Sequence, residues 1–164
     1  MERPSHWEHL FRDAQIGLAY GSFTDYRFVF VNDAFAQQRG YRAEDLIGLS
    51  LFSVIASDVR DAAESRIKEI RHRGRLVFES VHQRKDGTTF PVLIEVATVK
   101  DAQTDSDSWV AYALDISELK RAEQSVTRMM HAITHAGDVI AHIDHDGKFV
   151  YVNEVMCRLF GYTK

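Results

Sequence analysis

The chain repeats itself, and that repeat restricts its possible folds more than any other feature. Arg27-Phe28-Val29-Phe30-Val31-Asn32-Asp33-Ala34-Phe35 is closed by Arg39-Gly40-Tyr41, and Phe149-Val150-Tyr151-Val152-Asn153-Glu154 is closed by Phe160-Gly161-Tyr162. In each copy the aromatic and β-branched run reads as a short strand with a buried face. The asparagine at its end can accept from the free N–H groups of a first helical turn. The glycine then ends that helix in the left-handed geometry it adopts without steric cost. The unit is strand, asparagine cap, short helix, glycine stop. Ile16-Gly17-Leu18-Ala19-Tyr20 before the first copy aligns with Asp138-Val139-Ile140-Ala141-His142-Ile143 before the second, so each predicts a hairpin feeding the same strand.

The second copy has room only for its opening within 164 residues. The expected organisation is an N-terminal helix at 1–14, one whole domain at 15–116, a linker helix at 117–136 and the truncated start of a second domain at 137–164. Such a chain reads as a fragment of a longer, multi-module protein. A formal charge of −4 leaves no basic footprint for nucleic acid. No apolar run approaches the roughly 20 residues that span a bilayer, and the N-terminus lacks the apolar core of a signal peptide. A single cysteine, Cys157, excludes an intramolecular disulfide and suits a reducing compartment. A cytoplasmic module with no membrane contact of its own is the expectation.

Along the chain, Ser5 and Glu8 have capping-box spacing, and Trp7, Leu10, Phe11 and Ala14 form an apolar stripe. That stripe covers either the outer face of its own sheet or the same helix of a partner. Ala43 to Ile47 predicts a single turn stopped by Gly48, Leu51 to Ile55 a short apolar segment, and Ser57 to Arg73 a longer helix ended by Gly74. Strands are predicted over Leu76–Gln83, Thr89–Val99 and Trp109–Leu114, the first two joined at Asp86-Gly87 and the last two by a polar loop from Thr104 to Ser108. Pro91 removes a ladder hydrogen bond, so it should sit at an edge, a strand start or a bulge. Leu119, Ala122, Val126, Met129, Ile133 and Ala136 then follow heptad spacing. They form either a two-stranded coiled coil or one amphipathic helix packed on a domain. Asp115 with Glu118 is placed to cap its start.

Val31-Asn32-Asp33-Ala34-Phe35, Gly40-Tyr41, Glu44-Asp45-Leu46-Ile47-Gly48, Arg84-Lys85-Asp86-Gly87-Thr88-Thr89-Phe90-Pro91-Val92 and Asp115-Ile116-Ser117-Glu118, in this order, resemble the PAS sensor domain family. The resemblance implies an α+β fold in which a five-stranded antiparallel sheet and flanking short helices cup a small cavity, with an N-terminal amphipathic helix and a C-terminal linker helix. It also implies a role in sensing or relaying signals inside a larger regulator, beside neighbouring PAS and output domains such as a histidine kinase or diguanylate cyclase, and no catalysis by this fragment. The flavin-photoreceptor subgroup needs a cysteine just after the glycine of Leu46-Ile47-Gly48, where Leu49, Ser50 and Leu51 stand. The haem subgroup's iron ligand falls on Ala63 and its distal arginine on Phe78. The resemblance therefore argues against both cofactors.

The positions expected to face inward are Leu18, Tyr20, Val29, Val31, Phe35, Leu51, Phe52, Ile55, Ile67, Phe78, Ile94, Val96, Ala111 and Ala113. They make either a filled core or a pocket for a small apolar or aromatic ligand, with Tyr20 as a polar anchor. His82 reads as an exposed strand residue. Asp115 and Glu118 are the expected signal-relay positions, and Trp7, Leu10, Phe11, Leu119, Ala122, Val126, Met129 and Ile133 the expected homodimer contacts. His131 and His135 share a helix face, but no ligand spacing of a structural zinc site accompanies them, so no metal site is expected.

Overall fold

A computed structural model describes residues 16–100, 107–135 and 137–161. The expected N-terminal helix with Trp7, Leu10 and Phe11 lies outside these residues, as do Thr104 to Ser106 of the expected loop. The chain divides after Ser117 into two compact units.

In the first unit, β1 (Gly17–Ser22) and β2 (Phe28–Val31) form the expected hairpin, followed by helices α1 (Asp33–Gln38) and α2 (Ala43–Leu46). Two 3-10 turns, Leu51–Val54 and Ser57–Val59, lead into α3 (Arg60–Arg73). Strands β3 (Arg75–Gln83), β4 (Thr89–Lys100) and β5 (Asp107–Asp115) complete one antiparallel sheet in the order β2-β1-β5-β4-β3. Asp107 and Ser108, expected in a loop, extend β5. The helical segment thus runs from one edge strand, β2, to the other, β3, and buries Phe35, Leu46, Val54 and Ile70 with Val92, Ile94 and Trp109 of the sheet. It is tied at both ends, by the bridges Arg27–Ser50 and Ile55–His82.

Pro91 is the third residue of β4, opposite Val81 of β3 and one residue before β4 begins to pair with β5. Its carbonyl accepts from the Ile116 N–H at 3.1 Å, while β4 pairs with β5 only from Val92 opposite Asp115. Its missing N–H therefore falls opposite Ile116, just beyond the last residue of β5, so the bond that proline cannot make lies at the end of the ladder.

Asn32 does more than cap. Its Oδ1 accepts from Phe35 N–H at 2.9 Å and from Leu18 N–H at 2.8 Å, and its Nδ2 donates to the Ile16 carbonyl at 2.9 Å. One buried amide thus joins the first turn of α1 to the incoming strand.

The second unit continues along α4 (Ser117–His135) into β6 (Ala141–Ile143), β7 (Phe149–Val152) and α5 (Glu154–Phe160). Here Asn153 accepts from Met156 N–H and Ile140 N–H, both at 3.1 Å, and donates to the Asp138 carbonyl at 2.8 Å. The repeat therefore extends to individual hydrogen bonds. Phe149, Val150, Leu159 and Phe160 all remain exposed, as a hairpin and one helix without further strands dictate.

Candidate functional site: a cavity with one polar end

Between sheet and helices of the first unit lies a cavity of about 80 Å³. One water needs about 10–15 Å³, so the space admits a compact ligand. Phe35, Leu51, Ile55, Ile67, Phe78, Ile94, Val96, Ala111 and Ala113 line it, all of them positions expected to face inward.

Five others do not line it. Ala19 is the cavity-facing residue of β1, so strand alternation turns Leu18 and Tyr20 to the opposite face, and Tyr20 is no anchor. Val31 is buried but lies outside the lining, and Phe52 packs edge-on against Tyr26. Val29 is 53% exposed. The cause is a bulge: Tyr20 pairs with Phe30 but Gly21 with Phe28, which leaves Val29 as the extra residue and turns Phe28 inward. Gly21 permits the packing next to it, since a Cβ there would lie 2.3 Å from the Trp109 ring.

The sequence reading also missed the polar end. His82, expected to be exposed, is only 4% exposed and lines the cavity, as does Ser80 at 8%. Behind His82 lies Arg39, fully buried, with its guanidinium 3.5 Å above the Phe35 ring. Arg39 Nε donates to His82 Nδ1 at 3.0 Å, Nη2 reaches the same nitrogen, and Nη1 donates to the Phe35 carbonyl at 2.8 Å. Burial, partly offset by Asp115, lowers the arginine pKa to about 9. Burial and then the charge of Arg39 hold the histidine well below its ordinary value. Because an arginine only donates, Nδ1 must carry the lone pair, and neutral His82 carries its proton on Nε2.

From this end a polar chain runs to the exit helix. Arg84 Nε donates to the Gln38 carbonyl at 3.0 Å, and its Nη2 lies 3.5 Å from Asp115 Oδ2. The other oxygen, Asp115 Oδ1, accepts from Ser117 N–H at 2.8 Å and so caps the start of α4. Glu118, expected to share that role, is exposed.

The residues do not fit a covalent flavin or a haem. The sole cysteine, Cys157, lies in the second unit. Ala63 and Phe78 line the cavity where an iron ligand and a distal arginine would be needed. His82 cannot substitute, because a ligating imidazole donates through its second nitrogen, whereas here Nδ1 accepts and Nε2 is protonated. Among the described residues no three potential metal-ligating side chains cluster, and no helix is long and apolar enough to cross a membrane.

An antiparallel sheet that cups a small cavity against short helices, with an exit helix capped from its last strand, defines a sensory or interaction module. The PAS domain model matches residues 17–118, and a second PAS model matches residues 127–163. The chain belongs to the PAS domain family, whose members are regulatory sensor modules. Similar solved structures include an RNA-binding Light-Oxygen-Voltage receptor, at 20% identity and TM-score 0.64 over 76% of this chain. The chain spans only about a third, 36%, of that receptor. The PAS domain of an HTR-like protein from Haloarcula marismortui matches at 21% identity and TM-score 0.58, over 67% of this chain and 88% of its own. The PAS domain of a LuxR-family transcriptional regulator from Burkholderia thailandensis, in complex with ethanol, matches at 22% identity and TM-score 0.59, over 69% of this chain and 99% of its own. At these identities the likeness concerns the fold.

Proposed function

We propose that the first unit is a cytoplasmic ligand-responsive sensor, part of a larger signalling protein, that takes a compact, mostly apolar molecule into its cavity and relays occupancy to α4. The observation that carries this reading is the cavity itself, apolar around most of its wall and polar at one end. A solved relative holding ethanol agrees with a ligand of that scale. Occupancy would shift the packing of β3 and α1, and through Arg84 and Asp115 the capping of α4. The helix is then the two-state element biased by the ligand. Native mass spectrometry of freshly purified protein, with thermal-shift screening of small alcohols, ketones and aromatic hydrocarbons, tests it. A retained mass or a raised melting temperature is expected; an unliganded mass with no shift across the series overturns the reading.

A second reading, an interaction module that pairs with another copy, rests on a different observation. Leu119, Val126 and Met129 of the heptad seam are 55%, 58% and 63% exposed, and such a seam is buried when two helices pair.

A further inference from the structure

The lining of β3 names the chemistry of the ligand. Phe78, Ser80 and His82 alternate onto the cavity face of one strand. Both nitrogens of His82 are assigned by its surroundings: Nδ1 takes the two donors of Arg39, which leaves Nε2–H as the edge available to the cavity. Among the described residues neither that N–H nor Ser80 Oγ has a hydrogen-bond partner, and neither is closed off as the unpaired Ser53 hydroxyl is, so both open onto the cavity. A ligand oxygen that reaches them supplies a hydrogen bond that the protein itself does not.

We propose that His82 and Ser80 are a built acceptor-binding subsite, and that the sensor's ligand is a compact neutral carbonyl compound, its oxygen held by His82 Nε2–H and its hydrocarbon part among Phe35, Ile94 and Ala113. This inference rests on the proposed ligand-binding function and deepens it. Arg39 is a positioning residue: it lies outside the lining and acts by fixing the tautomer, so that the imidazole always donates. Two donors satisfy a carbonyl oxygen, with its two lone pairs. They do not satisfy a carboxylate, which offers about four acceptor sites and loses far more on leaving water. The cationic residue of the described lining, Arg66, lies over the Phe78 ring at 4.6 Å. Phe78 and His82 are separated by four residues of strand, roughly 13 Å, so Arg66 belongs to the opposite end and does not provide the missing counter-charge.

The test compares cyclohexanone, methylcyclohexane and cyclohexanecarboxylate on the full chain by calorimetric titration, with the imidazole nitrogens of 15N-labelled protein followed by NMR. Cyclohexanone should bind about tenfold more tightly than methylcyclohexane and shift the protonated nitrogen of His82. His82→Gln, which can accept from Arg39 and donate to the cavity, should retain that preference, and Ser80→Ala should reduce it several-fold. Equal binding of ketone and hydrocarbon overturns the subsite while leaving the cavity reading intact, and tighter binding of the carboxylate overturns the choice of a neutral ligand. Binding of none of the three overturns the inference, and the wider screen then decides the cavity reading separately.

Discussion

His82 and Arg39 are each buried beside the other, and their pairing makes the fold sensitive to acid. In the unfolded chain the imidazole titrates near 6.5; in the fold, burial and the charge of Arg39 keep it well below that value. As pH falls through 6.5 the unfolded state therefore binds more protons. The contribution of His82 is fully present above that range and is lost as pH falls towards the folded value, by up to about 1.4 kcal/mol per pH unit. Urea unfolding between pH 7.5 and 5.5 should show this fall, and His82→Gln should unfold with a flatter dependence. Parallel slopes for the two proteins would refute the assignment. Both residues were legible from periodicity. Phe78 is an expected inward position, and period two carries that face through Ser80 to His82. Phe35 is likewise an expected inward position, and Arg39 stands one helical turn later on the same side. What obscured them was residue type, since histidine and arginine are seldom buried unless satisfied. Here Arg39 is held by His82 Nδ1 and the Phe35 carbonyl, and His82 is satisfied at that one nitrogen.

At the scale of elements, the strand-cap-helix unit was plain because its signals are local: an asparagine cap and a run of strand formers. Which side of a strand faces inward is set elsewhere. In β2 the register is decided by a bulge opposite Tyr20 and Gly21, and the same irregularity recurs opposite His142 and Ile143 in the second hairpin. A bulge shifts every later side chain to the other face, which is why Val29 was misplaced although the strand was found. The start of α4 is a comparable junction, and it makes a prediction. Asp115 holds Arg84 with one oxygen and the Ser117 N–H with the other. Asp115→Asn retains a capping oxygen and loses the charge, whereas Asp115→Ala loses both. The alanine variant should cost about 1 kcal/mol more than the asparagine variant, and amide exchange should accelerate in the first turn of α4 in the alanine variant alone. Equal exchange in the two would mean that the cap contributes nothing.

For the molecule as a whole, α4 joins two copies of one unit, and its seam stays exposed among the described residues. Leu119, Val126 and Met129 would each be exposed at a cost in water, whereas a second helix in heptad register removes them together. The sequence showed the spacing, but spacing alone is the same for a coiled coil and for a helix packed on its own domain. The exposure of these residues favours the coil, and we propose that the chain is a homodimer through this helix. Light scattering on the intact chain should give twice its 18.8 kDa mass, and Leu119→Asp with Val126→Asp should return it to one chain, because facing carboxylates at the seam are repelled and desolvated together. Both substitutions fall on exposed positions, so the first unit should keep its unfolding midpoint and its ligand response within error. A doubled mass that survives both substitutions would move the interface elsewhere, and a single-chain mass for the unaltered protein would remove the dimer. In either of those cases the response of α4 to the cavity must be read within one chain, through Asp115.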